Sequence, residues 1–253
     1  GKGNMDIHPT WVNNSKAIEN INLNFFEKSY IVRHYMMSTV KGMSMGDFLK
    51  MAEQVDINTF NKFYSILYRS GMFCVADLLD IKSAAQLYNV IQCVKLFNLK
   101  SPIQVIEVGG GIGNLSRLFA ELDVCDTYTI YDLNNVIKIQ KHYLQQNLTK
   151  RKFDKIKFIA VDLIDINDIK PISTDLFIST FALTECPKTT IELYFQKLII
   201  NAQYCYILGQ ELYGNYYPSK DIVNKLMTAF SQIIIRDYPY FNQKAYEIIC
   251  LKD

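Results

Sequence analysis

The fold is decided by the stretch Ile103-Gln104-Val105-Ile106-Glu107-Val108-Gly109-Gly110-Gly111-Ile112-Gly113-Asn114. It has the form of a buried strand, an acidic residue near the strand end, a glycine turn and the start of a helix. In an open α/β sheet, ligands bind beyond the carboxyl end of a strand at such a turn. Glycines let the backbone approach a ligand closely and adopt angles that other residues resist. The stretch therefore predicts a nucleotide-like ligand at the end of a first strand.

The spacing of the glycines discriminates between kinds of ligand. The dinucleotide pattern G-x-G-x-x-G would need a third glycine where the chain has Asn114, so that pattern is incomplete. The pattern E-x-G-x-G-x-G is complete, with Glu107, Gly109, Gly111 and Gly113. A tight strand-to-helix turn without a ligand would also use glycines, but the sequence further along the chain favours a ligand-binding loop.

Apolar segments downstream of the glycines predict strands that alternate with helical patterns. The segments are Thr127–Tyr131, Lys157–Val161, Asp175–Leu183 and Tyr204–Gln210. Asp132 follows the first of them, and an acid at the end of the second strand of such a sheet commonly hydrogen-bonds ribose hydroxyls. A helix N-cap is the alternative for this carboxylate, and the two roles are compatible. The alternation predicts an α/β fold with a parallel sheet.

Two further strand patterns lie near the end of the chain. Ser231–Arg236 and Ala245–Leu251 are joined through the turn-forming stretch Asp237–Asn242. This arrangement predicts an antiparallel hairpin that closes the sheet. A plain dinucleotide-binding fold lacks such a hairpin, so the pattern disfavours an NAD-dependent oxidoreductase.

Together, the glycine motif, Asp132-Leu133 and the C-terminal hairpin resemble the Rossmann-like S-adenosylmethionine-dependent methyltransferases. The resemblance implies an α/β fold, namely a seven-stranded methyltransferase sheet with a C-terminal antiparallel hairpin, preceded by a helical N-terminal cap. It also implies that S-adenosylmethionine is the cofactor. We therefore divide the chain into a helical cap over residues 1–100 and a cofactor-binding methyltransferase domain over residues 101–253.

The same resemblance assigns roles in the cofactor site. It implies that Glu107 lies near the methionine part of the cofactor, that the glycine loop wraps the cofactor and that Asp132 holds the ribose. Asp162 would face the adenine amino group, or else be a solvated loop carboxylate, and Leu163 could pack on the adenine ring. The full set of expected cofactor contacts is Glu107, Gly109, Gly110, Gly111, Gly113, Asp132, Leu133, Asp162, Leu163 and Ser179.

Shorter similarities concern the acceptor. Asp175–Tyr194, Tyr204–Gln210 and the upstream stretch Tyr30–Met45 resemble bacterial sugar O-methyltransferases that tailor surface polysaccharides. This resemblance implies a sugar or sugar-linked acceptor in capsule or lipopolysaccharide assembly. Gln210 departs from it, because an asparagine is expected near the end of the fifth strand. A phosphate-type or other small metabolite is the alternative acceptor, and a non-catalytic binding module is the alternative of another class.

Transfer of a methyl group to a sugar hydroxyl needs a base, because a protonated hydroxyl is a poor nucleophile. His34 and Glu185 are the candidate bases. Glu185 follows the fourth strand, whose carboxyl end is expected to face the transferred methyl group, and histidine ordinarily titrates close to neutral pH. The alternatives are a surface or satisfied core histidine and, for Glu185, an acid at a helix N-terminus ahead of Pro187.

Polar and aromatic residues near these candidates are expected to bind the acceptor. Tyr30, Arg33 and His34 share one face of a predicted helix, which could hydrogen-bond a sugar or pair with an anionic group. Tyr213 and Tyr216 follow the fifth strand, where they could stack on a sugar ring or pack against the cap.

The region before the glycine stretch has helical periodicity and no clear strand pattern. Two apolar stripes at helical spacing are Phe60, Phe63, Ile66 and Leu67, and Leu87, Val90, Ile91 and Val94. Such a cap commonly shapes an acceptor pocket, and a homodimer through these N-terminal helices is an expected assembly. His8 is expected to lie in a mobile terminus.

Composition disfavours several other classes of function. The net charge of +2 and the sequence pI of about 8.1 are too mild to indicate nucleic-acid binding. The six cysteines form no C-x-x-C pair, which favours free thiols in a reducing cytoplasm, and Cys186 is interpreted as a small apolar filler. No His, Cys and carboxylate cluster has metal-ligand spacing, and no run is apolar and long enough to span a membrane.

Overall fold

The computed structural model describes residues 5–32, 36, 46, 50, 53–69, 81–100, 102–210, 219–241 and 244–253. Within these ranges, seven strands form one sheet. They are β1 (Ile103–Val108), β2 (Cys125–Asp132), β3 (Ile156–Ala160), β4 (Thr174–Thr180), β5 (Ala202–Gln210), β6 (Gln232–Asp237) and β7 (Ala245–Leu251). Each of the seven strands corresponds to a segment that the hydrophobic pattern predicts.

The strand order across the sheet is β3-β2-β1-β4-β5-β7-β6. The strands from β1 to β5 are parallel, whereas β7 lies antiparallel between β5 and β6. From β1 the chain adds β2 and then β3 on one side of the sheet. It then returns to the other side of β1 and adds β4, so the direction in which strands are added reverses between β1 and β4. A crevice for a ligand opens at such a switch point. The predicted α/β sheet with its antiparallel C-terminal hairpin is confirmed.

Helices precede the sheet and connect its parallel strands. They are α1 (Pro9–Ile18), α2 (Ile57–Arg69), α3 (Ile81–Leu96), α4 (Asn114–Glu121), α5 (Asn134–Asn147), α6 (Lys150–Phe153), α7 (Lys188–Tyr194) and α8 (Ser219–Leu226). Short 3₁₀ turns cover Leu23–Lys28, Ile166–Asp168 and Leu183–Glu185, and a single π turn at Phe195–Ile199 extends α7. None of the helices within the described ranges combines the length and the hydropathy needed to cross a membrane.

The core is continuous from the helices before the sheet into the sheet itself. Leu176, Phe177 and Ile178 of β4 are fully buried, as expected for a central parallel strand that helices cover on both faces. Leu87 and Ile91 of α3, which belong to a predicted apolar stripe, are equally buried and join the same cluster. The division of the chain at residue 100 stays a prediction.

The N-terminal segment differs from the mobile terminus that was expected. His8 caps α1, because its Nδ1 accepts a hydrogen bond from the backbone N–H of Thr10 at 2.9 Å, and Pro9 occupies the first helical position. Helix α1 also lies against α5, where Asn135 Nδ2 donates to the carbonyl oxygen of Ser15 at 2.9 Å. Contacts with distant parts of the chain therefore hold the N-terminal segment in place, although its local sequence predicts a mobile segment.

Candidate functional site

A cavity of about 370 Å³ lies at the carboxyl ends of β1, β2 and β4. The glycine loop 109–111 forms its base, and the end of β2 with the first residues of α5 forms one wall. Residues of the segment from Thr180 to Pro187, at the end of β4 and after it, form another part of the wall. Residues 5–8 and Trp11 of the N-terminal segment complete the enclosure. The cavity occupies the crevice that the strand order predicts.

The loop at the base of the cavity requires its glycines. Gly109 and Gly111 have φ angles of 76° and 55°, in the left-handed region that side chains disfavour. A Cβ atom at Gly109 would overlap the side chain of Ala182, and one at Gly111 would lie 2.5 Å from the carbonyl oxygen of Met36. Gly113 is the N-cap of α4 and has a φ angle of 98°. A Cβ atom at this position would lie 3.1 Å from the side chain of Leu144. The backbone angles and the close packing against Ala182 and Met36 therefore require glycine at 109 and 111, and the close approach of a ligand stays a prediction.

Asp132 supports the glycine loop from the end of β2. Its Oδ2 accepts hydrogen bonds from the backbone N–H of Gly110 and from Gln140 Nε2, both at 2.8 Å. Its Oδ1 accepts the backbone N–H of Leu133 at 2.8 Å, and both residues line the cavity. Burial raises the pKa of this carboxyl to about 6, against the effect of the hydrogen bonds, which lower it. The carboxylate thus fixes the loop and still borders the cavity.

Glu107 lies behind the loop instead of in the cavity wall. Its side chain is only 1% exposed, and Tyr128 donates its hydroxyl hydrogen to Glu107 Oε1 at 2.9 Å. Burial raises its pKa to about 8, and the nearby Asp132 adds to the effect. The side chain is therefore largely protonated at neutral pH. The expected contact with the methionine part of a cofactor stays a prediction, and the geometry gives Glu107 a supporting position.

Four other residues expected to contact the cofactor do not belong to the described wall of the cavity, namely Gly113, Asp162, Leu163 and Ser179. Asp162 Oδ1 accepts the backbone N–H at the first residue of α5 at 2.8 Å, so this carboxylate caps that helix. Leu163 is 53% exposed. Ser179 Oγ donates to the carbonyl oxygen of Val108 at 3.1 Å and accepts the backbone N–H of Leu183 at the same distance. Ser179 therefore ties β4 to β1 and to the turn that follows.

Glu185 is placed in the cavity wall by the 3₁₀ turn that follows β4. Trp11 Nε1 donates a hydrogen bond to Glu185 Oε2 at 2.9 Å, across 174 residues of sequence. Burial raises the pKa of this carboxyl, and the bond from Trp11 acts in the opposite direction. Helix α7 begins at Lys188, three residues after Glu185, and the alternative of a helix N-terminal acid stays a prediction beside the contact with the N-terminal segment.

Cys186 also lines the cavity, next to Glu185. Its Sγ lies 3.3 Å from the carbonyl oxygen of Ala182, and burial raises the pKa of the thiol to about 12. A thiol held in its protonated form is a poor nucleophile. This environment agrees with the interpretation of Cys186 as a small filler.

The N-terminal segment is the part of the cavity wall that sequence reasoning missed. Thr189 Oγ1 donates to Asp6 Oδ2 at 2.6 Å, and Thr190 Oγ1 donates to the carbonyl oxygen of Asp6 at 2.5 Å. Tyr194 places its hydroxyl 3.4 Å from Met5 Sδ. These contacts hold the segment against α7. The local signal available was the His8-Pro9 pair, a capping residue followed by proline at a first helical position.

The cavity wall also contains residues that were not predicted to bind anything. They are Gln86, Phe181, Gln210 and Phe241. Of the residues that were predicted, Tyr30 is 71% exposed. Arg33, His34, Tyr213 and Tyr216 lie outside the described residues. Gln210 could have been found as the polar residue that ends an otherwise buried strand, whereas the other three carry no such signal.

The fold has counterparts among solved structures of methyltransferases. An O-methyltransferase family protein from Burkholderia thailandensis superposes with a TM-score of 0.52 at 11% identity, over 96% of this chain and 72% of that one. The methyltransferase domain of bacterial CtHen1-C superposes with a TM-score of 0.51 at 14% identity, over 68% of this chain and 100% of that one. No protein-family model and no curated protein sequence matches the chain significantly. The chain therefore shares the α/β fold of these methyltransferase structures.

Proposed function

We propose that this chain is an S-adenosylmethionine-dependent O-methyltransferase whose acceptor is a sugar or a sugar-linked small molecule in bacterial surface-glycan assembly. One observation carries the proposal. The glycine loop, Asp132 and the half-buried carboxylate of Glu185 line a single cavity. This arrangement brings a place for a nucleoside-bearing methyl donor next to a group that can accept a proton.

The cofactor side of the cavity suits S-adenosylmethionine in shape and in chemistry. Gly109 and Gly111 leave no side chain in the base of the cavity, and a Cβ at either would collide with neighbouring atoms. Asp132 uses three of the roughly four acceptor positions that a carboxylate offers. The remaining position, on Oδ1, can accept a ribose hydroxyl. No lysine or arginine is among the described residues of the cavity wall, which suits a cofactor without phosphate groups.

When bound, S-adenosylmethionine supplies an electrophilic methyl group on a positively charged sulfur. Glu185 is the base in our mechanism. Its ionised form would accept the proton of the acceptor hydroxyl while the methyl carbon exchanges its bond to sulfur for a bond to the acceptor oxygen, which would leave S-adenosylhomocysteine as the product. Burial raises the pKa of Glu185 and so makes it a stronger base than an exposed glutamate. Trp11 occupies Oε2, so Oε1 is the atom that takes the proton. Base catalysis of this kind accelerates a reaction by about 10² to 10⁴.

The same cavity favours a neutral acceptor over a phosphate-type metabolite, because its described charged groups include acids and no lysine or arginine. The resemblance of Asp175–Tyr194 to sugar O-methyltransferases supports the sugar. The described cysteines are free thiols, which supports the proposal that the enzyme acts in a reducing cytoplasm. His34 as an alternative base, contacts from Tyr30, Arg33, Tyr213 and Tyr216, and the homodimer stay predictions.

Calorimetric titration with S-adenosylhomocysteine, with NAD titrated in parallel, tests the cofactor. We expect micromolar binding of S-adenosylhomocysteine and no binding of NAD.

Asp132→Ala should weaken the binding of S-adenosylhomocysteine at least tenfold, because the substitution removes the proposed ribose partner and the support of Gly110. Asp126→Ala is the matched control, since Asp126 is exposed near the start of the same strand. Equal affinities in both variants would remove Asp132 from the cofactor site.

Methyl-transfer kinetics with a panel of hydroxylated acceptors test the base. Glu185→Gln keeps the size of the side chain and an oxygen that can accept the Trp11 hydrogen bond. We expect turnover to fall by about 10² or more while the affinity for S-adenosylhomocysteine stays the same. Full turnover in this variant would exclude Glu185 as the base and leave His34 as the remaining candidate.

A further inference from the structure

Gln210 lines the cavity and carries a hydrogen-bond acceptor that no described residue matches. It is the last residue of β5, and its Oε1 is buried without a hydrogen-bond partner among the described residues. A buried polar atom left without a partner costs about 1–3 kcal/mol, so native proteins rarely keep one without a reason. A ligand that donates a hydrogen bond to Oε1 would remove this cost when it binds.

Two stacked phenylalanines line the same cavity as Gln210. The ring centroids of Phe181 and Phe241 are 4.3 Å apart with an interplanar angle of 24°. Phe181 adopts a φ of 73°, which is unusual for a side chain of this size and costs about 1–2 kcal/mol. Its N–H donates to the carbonyl oxygen of Leu208 at 2.9 Å and its carbonyl accepts from Thr184 Oγ1 at 3.0 Å. These bonds hold the strained backbone that presents the ring to the cavity.

A relay of hydrogen bonds orients a second amide, that of Gln86. Tyr238 donates its hydroxyl hydrogen to Asn89 Oδ1 at 3.2 Å. This bond fixes the orientation of the Asn89 amide, so that its nitrogen points away from Tyr238. Asn89 Nδ2 in turn donates to Gln86 Oε1 at 3.0 Å. The oxygen of Gln86 is thereby engaged on its own helix, and its N–H₂ group is the part that can serve the cavity as a donor.

We propose that Gln86, Gln210 and the Phe181–Phe241 pair form the acceptor subsite, and that it selects a neutral hydroxylated ring of the pyranose type. The apolar face of the ring lies against the phenylalanine pair. One hydroxyl donates to Gln210 Oε1, and an oxygen of the ring or of another hydroxyl accepts from the Gln86 amide. This inference rests on the proposed function for the reaction, but the recognition itself needs only these four side chains.

The subsite also explains which acceptors are refused. A ring without hydroxyl groups would leave Gln210 Oε1 buried and unpaired, so it would bind more weakly than its hydroxylated counterpart. A phosphorylated sugar would bring negative charge beside Asp132 and Glu185, with no lysine or arginine among the described residues of the cavity wall. The subsite therefore discriminates by hydrogen-bond donors and by charge.

The test measures ring binding by saturation-transfer NMR in the presence of S-adenosylhomocysteine. The probes are methyl α-glucopyranoside, methyl α-galactopyranoside and methyl α-mannopyranoside, with tetrahydropyran as the ring without hydroxyls and glucose 6-phosphate as the charged sugar. We expect at least one methyl pyranoside to bind, and neither tetrahydropyran nor the phosphate. Gln210→Leu and Gln86→Leu should each weaken that binding about tenfold, which corresponds to the loss of one hydrogen bond whose partner stays buried.

Gln203→Leu is the matched control, because Gln203 lies at the other end of β5 and donates to the carbonyl oxygen of Lys252. An unchanged affinity for S-adenosylhomocysteine in the variants shows that they are folded. If the variants bind the pyranoside as tightly as the unaltered chain, or if the unaltered chain binds no pyranoside, the subsite is refuted while cofactor binding stands. If the pyranoside binds through Gln210 but S-adenosylhomocysteine does not bind, the subsite stands and the proposed function fails.

Discussion

Glu107→Gln should make the stability of the protein less sensitive to pH. The carboxyl of Glu107 is 1% exposed, and burial raises its pKa from 4.5 to about 8. Glutamine has nearly the same shape as a protonated glutamate and keeps an oxygen to accept the Tyr128 hydroxyl hydrogen. The substitution therefore removes a titration from the folded protein without removing the contact.

The size of the effect follows from the two pKa values. Between pH 4.5 and about 8, the unfolded chain releases the Glu107 proton while the folded protein retains it. Unfolding then releases a proton, so the free energy of unfolding falls as the pH rises, by about 1.4 kcal/mol per pH unit. The protonated Glu107 carboxyl contributes its full amount to the free energy of unfolding below pH 4.5, and this contribution is lost by about pH 8. The total loss is roughly 4 to 5 kcal/mol. That is a large part of the stability of an ordinary domain, about 5–15 kcal/mol.

Urea denaturation followed by circular dichroism at a series of pH values measures this difference. Other buried acids, such as Asp132, titrate in the same direction, so the informative quantity is the difference between variant and unaltered protein at each pH. We expect Glu107→Gln to gain stability relative to the unaltered protein as the pH rises from about 5 to about 8.5. Glu53→Gln, in an exposed turn, is the control and should show no such trend. A constant difference across the range would refute the protonated, buried state of Glu107.

Three further substitutions test other parts of the site. Gly109→Ala would add a Cβ that overlaps Ala182 at a φ of 76°, so thermal unfolding should show a lower Tm and calorimetry a loss of S-adenosylhomocysteine binding. Trp11→Phe removes the hydrogen bond that lowers the pKa of Glu185, so the rising, acidic limb of the pH–rate profile should move to higher pH. Ser179→Ala leaves a buried backbone N–H without its partner, which should lower the free energy of unfolding by about 1–3 kcal/mol in urea denaturation.

The sheet could be predicted because its signals are local. The strands β4 and β5 are buried on both faces, and their sequences are nearly continuous apolar runs of the length of a strand. The turn at Gly109 and Gly111 is equally local, since positive φ angles and close packing both demand glycine at those positions. The same reasoning extends to Asp132, which follows a predicted strand and lies where strand ends meet.

The missed parts of the site depend on contacts between distant segments. Met5 and Asp6 line the cavity because Thr189, Thr190 and Tyr194 bind them, and no local pattern at either end encodes that pairing. Periodicity likewise says which residues are buried, but it does not say which buried amide lacks a partner. The motif predicts that Glu107 lies near a ligand, and that contact stays a prediction; no local pattern indicates that Tyr128, on the neighbouring strand, donates a hydrogen bond to its carboxyl.

The bond between Trp11 and Glu185 also gives the protein an optical property. Trp11 is the only tryptophan of the chain, and its indole N–H donates directly to a carboxylate in the cavity wall. Indole emission responds to the polarity of its surroundings and to the charge of its hydrogen-bond partner. When the indole is excited selectively over the 17 tyrosines, the tryptophan emission of the protein therefore originates at the site. A filled cavity or a proton gained by Glu185 then changes this emission without any attached label.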